Sequence, residues 1–200
     1  GERCAVTTWK ASAGSIIGVD QDGYRFTREG DGWSRHGHVY LRGEWIIPNV
    51  CNHPYMIFDE AQLAAIEESG QMPDSSKEHI VSADSAEELA ELIGIDPATL
   101  ADTVERYNGY VNDGFDPEFH RNPETMRALE GKLYACPLNC SILNTQGGPR
   151  RNARAQIVGA DGEPIPHLYS AGELGGVCTH LYQGAGNVAE CLVFGKIAGT

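Results

Sequence analysis

The residues best suited to chemistry lie in the last third of the chain, from residue 143 to 200. A short run at 167–173 ends in Ala-Gly-Glu, and a glycine-rich turn at 183–187 precedes an apolar segment with helical spacing at 188–198. The first amides of an α-helix have no acceptor inside the helix and form the positive end of its dipole. A strand end beside such a helix start predicts a pocket of backbone N–H groups for a polar or anionic ligand.

The elements that must position this pocket are short strands joined by tight turns. Residues 156–159 and 167–171 flank an Asp-Gly turn and predict a hairpin or meander that leads into the pocket. Earlier in the chain, Asp22 and Gly23 lie between two β-branched or aromatic runs and predict a second hairpin turn. The remaining predicted strands are 44–50, 55–59 and 133–137.

Three amphipathic segments predict helices, because each combines apolar residues at helical spacing with start and stop signals. The segments are 59–70, 84–93 and 96–114. Between the last helix and the strand at 133–137, residues 116–129 are predicted to form a loop with helical fragments. Arg121 in this loop is interpreted as structural, and a substrate-facing role is the alternative.

Composition argues against several kinds of partner. The formal net charge of −13 and the lack of a basic stripe argue against nucleic-acid binding, which needs clustered Lys and Arg. The six cysteines form no C-x-x-C pair, so we expect free thiols in a reducing compartment and no metal site. His36 and His38 lack a nearby third ligand, and solvated loop side chains are preferred to a metal pair. No apolar run is long enough to cross a bilayer.

A series of short motifs runs in a specific order along residues 14–200. The motifs are Asp22-Gly23-Tyr24-Arg25-Phe26, Ile57-Phe58-Asp59, Thr103-Val104-Glu105-Arg106-Tyr107-Asn108, Leu133-Tyr134-Ala135, Asn144-Thr145-Gln146-Gly147-Gly148, Leu168-Tyr169-Ser170-Ala171-Gly172-Glu173, and Gly186-Asn187 followed by Cys191-Leu192-Val193-Phe194-Gly195-Lys196-Ile197-Ala198-Gly199. In this order they resemble the C-terminal part of the flavoprotein family of soluble fumarate reductases, the flavoprotein subunit of succinate dehydrogenase, urocanate reductase and the ketosteroid dehydrogenases.

The resemblance implies an α+β fold in which a capping domain is inserted into a Rossmann-like FAD-binding α/β domain that is incomplete here. Residues 1–19 would lead in from the FAD domain, 20–132 would form the α+β capping (substrate) domain, and 133–200 would form the C-terminal segment of the FAD domain. The G-x-G-x-x-G turn that holds the FAD pyrophosphate in this family does not occur in the chain. We therefore expect a fragment without its N-terminal FAD-binding half, inactive and weak in FAD binding by itself.

The resemblance also assigns cofactor residues. Gly172 and Glu173 match the positions that contact the ribityl and ribose part of FAD in the family. The resemblance implies that Gly186, Asn187 and Val188 direct helix-start amides at the flavin pyrimidine oxygen, where reduced flavin develops negative charge. The alternative is that these glycines only form a tight turn before a helix.

The substrate residues depart from the fumarate reductases. Those enzymes have a His before the position of Thr145 and an Arg near that of Gln183, and both grip substrate carboxylates. Asn144 and Gln183 stand there in this chain, so the bidentate carboxylate clamp is lost. Tyr182 and Gly186 instead match the ketosteroid dehydrogenase pattern, in which a Tyr hydroxyl and a glycine N–H polarise a substrate carbonyl. A packing role for Tyr182 is the alternative.

These resemblances predict an FAD-dependent oxidoreductase that acts on CH–CH groups and transfers hydride between flavin and a carbonyl-activated carbon–carbon bond, with a small-molecule substrate other than fumarate. The sequence does not identify the electron donor or the proton donor. The competing interpretation is a non-catalytic capping or interaction module that binds no flavin by itself. A nicotinamide-dependent Rossmann enzyme is disfavoured because the dinucleotide fingerprint is missing.

Overall fold

The chain divides into two compact units, Gly1–Ser141 and Ile142–Thr200. The computed structural model describes residues 13–29, 39–41, 44–46, 53–70, 72, 77–138, 147–177 and 185–200, with the backbone alone at 39–41 and 44–46. Both units combine helices and antiparallel strands, as described below. The expected mixture of helix and sheet is confirmed, whereas the insertion of a capping domain stays a prediction.

A four-stranded antiparallel sheet forms the centre of the first unit. Its spatial order is β1 (Ile16–Val19), β4 (Tyr55–Asp59), β6 (Leu133–Pro137) and β5 (Val81–Ala83). The strands β2 (Val39–Leu41) and β3 (Glu44–Ile46) pair with each other in a separate two-stranded sheet. The sequence predictions of strands at 55–59 and 133–137 are confirmed, and the strand predicted over 44–50 is described only at Glu44–Ile46.

The two faces of this sheet carry different apolar clusters, because successive residues of a strand point to opposite faces. Ile57 packs in the larger cluster, which also holds Leu89 of helix α2 (Ala86–Ile93) and Leu100 of helix α3 (Pro97–Asp113). Phe58 belongs to a smaller cluster with Ile16 and Cys136. The larger core therefore lies between the sheet and two helices.

The helices of the first unit begin at the predicted caps. The side chains of Asp59, Ser85 and Asp96 accept the backbone N–H of the third residue beyond them, at the starts of α1 (Glu60–Glu68), α2 and α3. Helices α2 and α3 end at Gly94 and Gly114, whose φ angles of 75° and 66° suit glycine. The three helix predictions are confirmed to within two residues at each end.

The predicted Asp-Gly turn after β1 is confirmed. The N–H of Gly23 donates to the carbonyl of Asp20 at 3.1 Å, and Gly23 has a φ of 92°. The second arm of this hairpin is shorter than expected, because it pairs with β1 only through a bridge between Val19 and Arg25. The predicted loop over 116–129 is also confirmed, with one 3₁₀ turn at Pro123–Thr125.

Strands β1 and β6 both lie in the sheet of the first unit. The family resemblance implies that both strands belong to the segments that flank the capping domain. The domain bounds at 19 and 132 stay predictions. His36 and His38 lie outside the described residues.

A cluster of buried charges links the β1 turn to the 116–129 loop. The guanidinium of Arg25 pairs with Glu29 at 2.7 Å and with Asp116 at 2.9 Å, and it lies 5.1 Å from the ring centroid of Tyr107. Burial alone would raise the pKa of Asp116, but hydrogen bonds and the charge of Arg25 outweigh it and hold that pKa below its usual value. Two loops are thereby fixed to each other by charge.

Arg121 belongs to the same cluster and ties it to the sheet. Its Nη1 donates to the carbonyl of Ile16 at 2.7 Å, and its Nη2 donates to the carbonyls of Gly14 at 3.1 Å and Thr125 at 2.8 Å. The residue is 2% exposed. The structural interpretation of Arg121 is therefore confirmed.

The second unit contains a two-stranded sheet and one described helix. Strand β7 (Gln156–Val158) pairs with β8 (Pro164–Tyr169), and the helix α4 spans Gly186–Ala198. The predicted hairpin is confirmed, although β8 starts earlier than expected and ends two residues before Ala171. The predicted helix is also confirmed, and it begins two residues before Val188.

The described part of the second unit exposes much apolar surface. Ala155 and Ile157 are its buried apolar residues, and α4 is apolar around most of its circumference. The exposed large side chains are Ile165, Leu168, Tyr169, Leu174, Val177, Val188, Leu192, Val193 and Ile197. Within the described ranges, no helix is both long and apolar enough to span a membrane.

Candidate functional site

The start of α4 offers a set of backbone donors that have no acceptor within the helix. Its N-cap residue, Ala185, has a left-handed φ of 66°, and among the described residues no side chain caps the helix. The first backbone bond of the helix runs from the N–H of Ala189 to the carbonyl of Ala185 at 3.0 Å. The N–H groups of Gly186, Asn187 and Val188 therefore have no acceptor within the helix, and they lie at its positive end.

The loop after β8 packs against this helix through Gly172. Gly172 has a φ of 75°, and a Cβ at this position would overlap the Sγ of Cys191 on α4. Gly175, also at 75°, would overlap the carbonyl of Pro149 in the same way. Because only glycine fits such left-handed and crowded positions, the loop can approach the helix closely.

A side-chain contact joins the loop to the helix start. The Nδ2 of Asn187 donates to the Oε2 of Glu173 at 3.4 Å. The structure therefore brings together four of the predicted cofactor residues: Gly172 and Glu173 on the loop, and Gly186 and Asn187 on the helix. Val188 is 62% exposed, and its backbone N–H lies in the first turn of the helix.

Arg151 and Glu190 make a second set of contacts between the same loop and α4. The guanidinium of Arg151 contacts the carboxylate of Glu190, and it donates to the carbonyls of Gly172 at 3.1 Å and Leu174 at 3.3 Å. Burial lowers the pKa of Arg151 from its ordinary value, but arginine remains protonated in proteins. The carboxylate of Glu190 therefore balances a permanent buried charge.

The site contains a buried hydroxyl without a described partner. Ser170 is 7% exposed, and its Oγ has no hydrogen-bond partner among the described residues. Ser170 stands between β8 and the Gly172 loop. A buried hydroxyl normally finds a partner, so Ser170 is a candidate to meet a ligand there.

The predicted substrate residues lie outside the described part of the chain. These residues are Asn144, Thr145, Tyr182 and Gln183. The description resumes at Gly147, whose carbonyl accepts the N–H of Gly175 at 2.7 Å. The chain that follows Asn144 and Thr145 therefore runs beside the loop that carries Gly172 and Glu173.

Three residues of the site are not predicted from the sequence. Ser170 occurs there only as part of a motif, and Arg151 and Glu190 have no predicted role. Glu190 carried a usable signal, because it is the one acidic residue inside the apolar segment 188–198. A buried carboxylate needs a partner, which would have directed attention to the nearby arginines.

Comparison with known proteins identifies the family. Residues 3–188 match the family model described as FAD binding domain. Digoxin reductase from Eggerthella lenta is 32% identical in an alignment that covers 90% of this chain and 34% of that protein. The 3-oxosteroid 1-dehydrogenase from Mycolicibacterium smegmatis is 29% identical in an alignment that covers 94% of this chain and 38% of that protein.

A solved structure agrees with this assignment. The open conformation of a flavocytochrome c3 fumarate reductase aligns with a TM-score of 0.61 and 30% sequence identity, over 92% of this chain and 32% of that one. The chain thus spans about a third of the length of the relatives described here. It belongs to the FAD binding domain family of flavoproteins, among whose members are fumarate reductases and 3-oxosteroid dehydrogenases, and its cofactor is FAD.

Proposed function

We propose that this chain is the capping domain and the C-terminal flavin-facing segment of a longer FAD-dependent oxidoreductase. The whole enzyme transfers a hydride between the flavin and a carbon–carbon bond activated by a carbonyl group. The observation that carries the proposal is the contact of Asn187 with Glu173, which joins the uncapped helix start to the Gly172 loop.

The donors and acceptors of this site suit FAD. The amides of Gly186, Asn187 and Val188 are free of acceptors within the helix, and a flavin ring offers carbonyl oxygens to such donors. The carboxylate of Glu173 and the backbone at Gly172 suit the hydroxyls of the ribityl chain. FAD, when bound, supplies the hydride donor or acceptor.

The residues that act on the substrate are proposed from their positions in the sequence. Asn144, Thr145 and Gln183 bind the substrate, and Tyr182 and the N–H of Gly186 bind its carbonyl oxygen. Donors aimed at this oxygen stabilise the negative charge that develops there during hydride transfer. An acid of the capping domain protonates the α-carbon in the reductive direction.

Fumarate is an unsuitable substrate under this proposal. An arginine binds a carboxylate through two parallel hydrogen bonds, which the amides of Asn144 and Gln183 do not reproduce. A neutral carbonyl oxygen can accept hydrogen bonds from uncharged donors, which the hydroxyl of Tyr182 and the N–H of Gly186 supply. The substrate class is therefore an α,β-unsaturated ketone or its saturated counterpart.

The exposed apolar surface of the second unit supports the proposal that another segment of the enzyme covers it. A helix that is apolar around its circumference is normally buried, yet Leu192 and Val193 of α4 are 71% and 55% exposed. The strand β8 is exposed along its whole length. We propose that the N-terminal FAD-binding half of the enzyme covers these surfaces.

The alternative function is a capping or interaction module that binds no flavin by itself. The observation in its favour is the uneven core, because the larger apolar cluster lies wholly within the first unit. Flavin content separates the two functions. A full-length protein that purifies without FAD, and that takes up none when FAD is added, supports the module.

The catalytic proposal is tested with the full-length protein and Tyr182→Phe. Removing one donor to a developing oxyanion lowers kcat by about 10²- to 10³-fold. Tyr134→Phe is the matched control, because the phenyl ring can keep the stacking of Tyr134 on Phe58, whose centroid lies 5.9 Å away. Turnover is measured with an α,β-unsaturated ketone and with fumarate. Unchanged turnover in Tyr182→Phe, or faster turnover of fumarate than of the ketone, contradicts the proposal.

A further inference from the structure

We propose that Arg151 and Glu190 are positioning residues for the flavin site, an inference that rests on the proposed function. Neither residue is among those matched to the cofactor above. Their ion pair holds the segment from Gly172 to Val177 against α4, and so fixes the loop contacts of FAD relative to the helix-start amides.

The pair is buried and makes contacts at both ends of the segment. The side chains of Arg151 and Glu190 are 2% and 7% exposed. Arg151 holds the carbonyls of Gly172 and Leu174, while the Oε1 of Glu190 accepts the N–H of Val177 at 2.9 Å. The loop backbone is therefore held by two side chains that also hold each other.

The position of Glu190 on α4 connects the pair to the helix start. Glu190 lies four residues after Gly186, on the same face of the helix and one turn further along. Phe194 follows after four more residues, and its ring centroid lies 3.9 Å from the guanidinium carbon of Arg151. One face of α4 thus presents a donor to the flavin, an acid to Arg151 and a ring to the guanidinium.

Apolar packing does not provide a substitute for these contacts. Leu174 and Val177 are 58% and 72% exposed, so the side chains of the loop do little to anchor it. Gly176 lies close to Glu190, because a Cβ there would stand 3.3 Å from the Oε2. Without the pair, the loop keeps its covalent ends and the contact of Glu173 with Asn187. It loses the hydrogen bonds to the carbonyls of Gly172 and Leu174 and to the N–H of Val177.

A displaced loop weakens cofactor binding, because Glu173 and the Gly172 backbone no longer meet FAD together with the helix amides. In metal sites, removal of a residue that orients a ligand residue typically lowers metal affinity or activity by about 10- to 100-fold, and we take this range as the guide here. We expect Glu190→Gln and Arg151→Met each to raise the Kd for FAD by a factor in this range. The double variant should raise the Kd by much less than the product of the two factors, because each substitution removes the same interaction.

The test uses the full-length protein, prepared without FAD and titrated with it at a temperature where every variant is folded. Amide hydrogen exchange of the FAD-free protein reports on the loop itself, and exchange at Val177 should be faster in both variants. Arg151→Lys keeps the charge but not the forked donors, and should recover part of the affinity lost in Arg151→Met. Glu163→Gln, on the exposed turn between β7 and β8, removes the same charge and should leave both measurements unchanged.

The outcomes separate this inference from the proposed function. If the wild-type protein binds no FAD, the proposed function fails and the inference fails with it. If the wild type binds FAD and the variants match its Kd within about twofold while losing thermal stability, the pair is only structural and the inference alone is overturned. Unchanged exchange at Val177 overturns it as well, because the loop is then held by other contacts.

Discussion

The two units of the chain bury their side chains in different ways. The first unit places its apolar side chains in two clusters on either face of a four-stranded sheet, with Leu89 and Tyr107 fully buried. The described part of the second unit buries Ala155 and Ile157 and leaves Leu192 and other large side chains exposed. The first unit has a core of its own, whereas the second has surfaces suited to burial by another segment.

The buried charges follow the same division. In the first unit, Arg25, Asp116 and Arg121 connect loops to the sheet and stabilise the fold. In the second unit, Arg151 and Glu190 connect a loop to the helix that begins at the candidate site. A core therefore holds the first unit together, whereas a few polar contacts hold the loop of the second unit to its helix.

The largest effect is expected from breaking the charge cluster of the first unit with Arg121→Met. The substitution leaves the carbonyls of Gly14 and Ile16 without their donor and Glu29 without one partner. Removing one member of a buried pair costs about 3 to 5 kcal/mol of unfolding free energy. Chemical denaturation measures the loss, and Lys132→Met, which removes an exposed cation, is the control. A loss below about 1 kcal/mol would show that the cluster does not stabilise the first unit.

A second prediction tests whether α4 is covered in the full-length protein. Leu92 of the first unit and Leu192 of α4 are 61% and 71% exposed in this chain. Leu→Ala at a covered site costs about 2 to 4 kcal/mol, whereas a surface substitution changes stability by less than about 0.5 kcal/mol. We expect the larger loss for Leu192→Ala and the smaller for Leu92→Ala, measured by denaturation of the full-length protein. Equal losses of stability in the two variants would show that Leu192 is no more covered than Leu92 in the full-length protein.

The third prediction concerns pH and the cluster around Asp116. Burial would raise the pKa of this carboxyl, but the hydrogen bond and charge of Arg25, with two backbone hydrogen bonds, outweigh burial and lower the pKa in the folded state. An ionised Asp116 therefore contributes stability that is fully present above the unfolded pKa of about 3.9, and that is lost as the pH falls through the lower folded pKa. Wild-type stability should decline below a pH of about 4, and the decline should be shallower in Asp116→Asn. Denaturant titrations from pH 7 to pH 2 measure both slopes, with the exposed Asp113→Asn as control. Parallel slopes in wild type and Asp116→Asn would contradict this linkage.

The local features of the fold were predictable from the sequence. The helix caps at Ser85 and Asp96 act on residues three positions away. The continuous apolar run at 55–58 is typical of a strand that is buried on both faces. The site was predicted in part for the same reason, because Gly172 and Gly186 each belong to a short motif. Such signals are local, so a single sequence contains them.

The long-range contacts could not be read from the sequence. Arg25 meets Asp116 across 91 positions, and Arg151 meets Glu190 across 39. No spacing rule connects residues so far apart, and the choice between several arginines depends on the packing of whole elements. The strand at 133–137 likewise pairs with β4 and β5, and no local pattern in the sequence indicates these two partners.

The smallest effect is expected at the N-cap of α4. Ala185 has a φ of 66°, a left-handed conformation that costs an L-residue roughly 1 to 2 kcal/mol and costs glycine little. Ala185→Gly should therefore stabilise the protein by about 0.5 kcal/mol, after the greater freedom of glycine in the unfolded chain is subtracted. Ala189→Gly, four residues further along the helix, should destabilise it by about 1 kcal/mol. Thermal denaturation measures the change in stability of each variant. A gain in Ala185→Gly with a loss in Ala189→Gly would show that the backbone strain is local to Ala185. A loss of stability in Ala185→Gly would mean that the methyl group of Ala185 makes contacts worth more than the backbone strain.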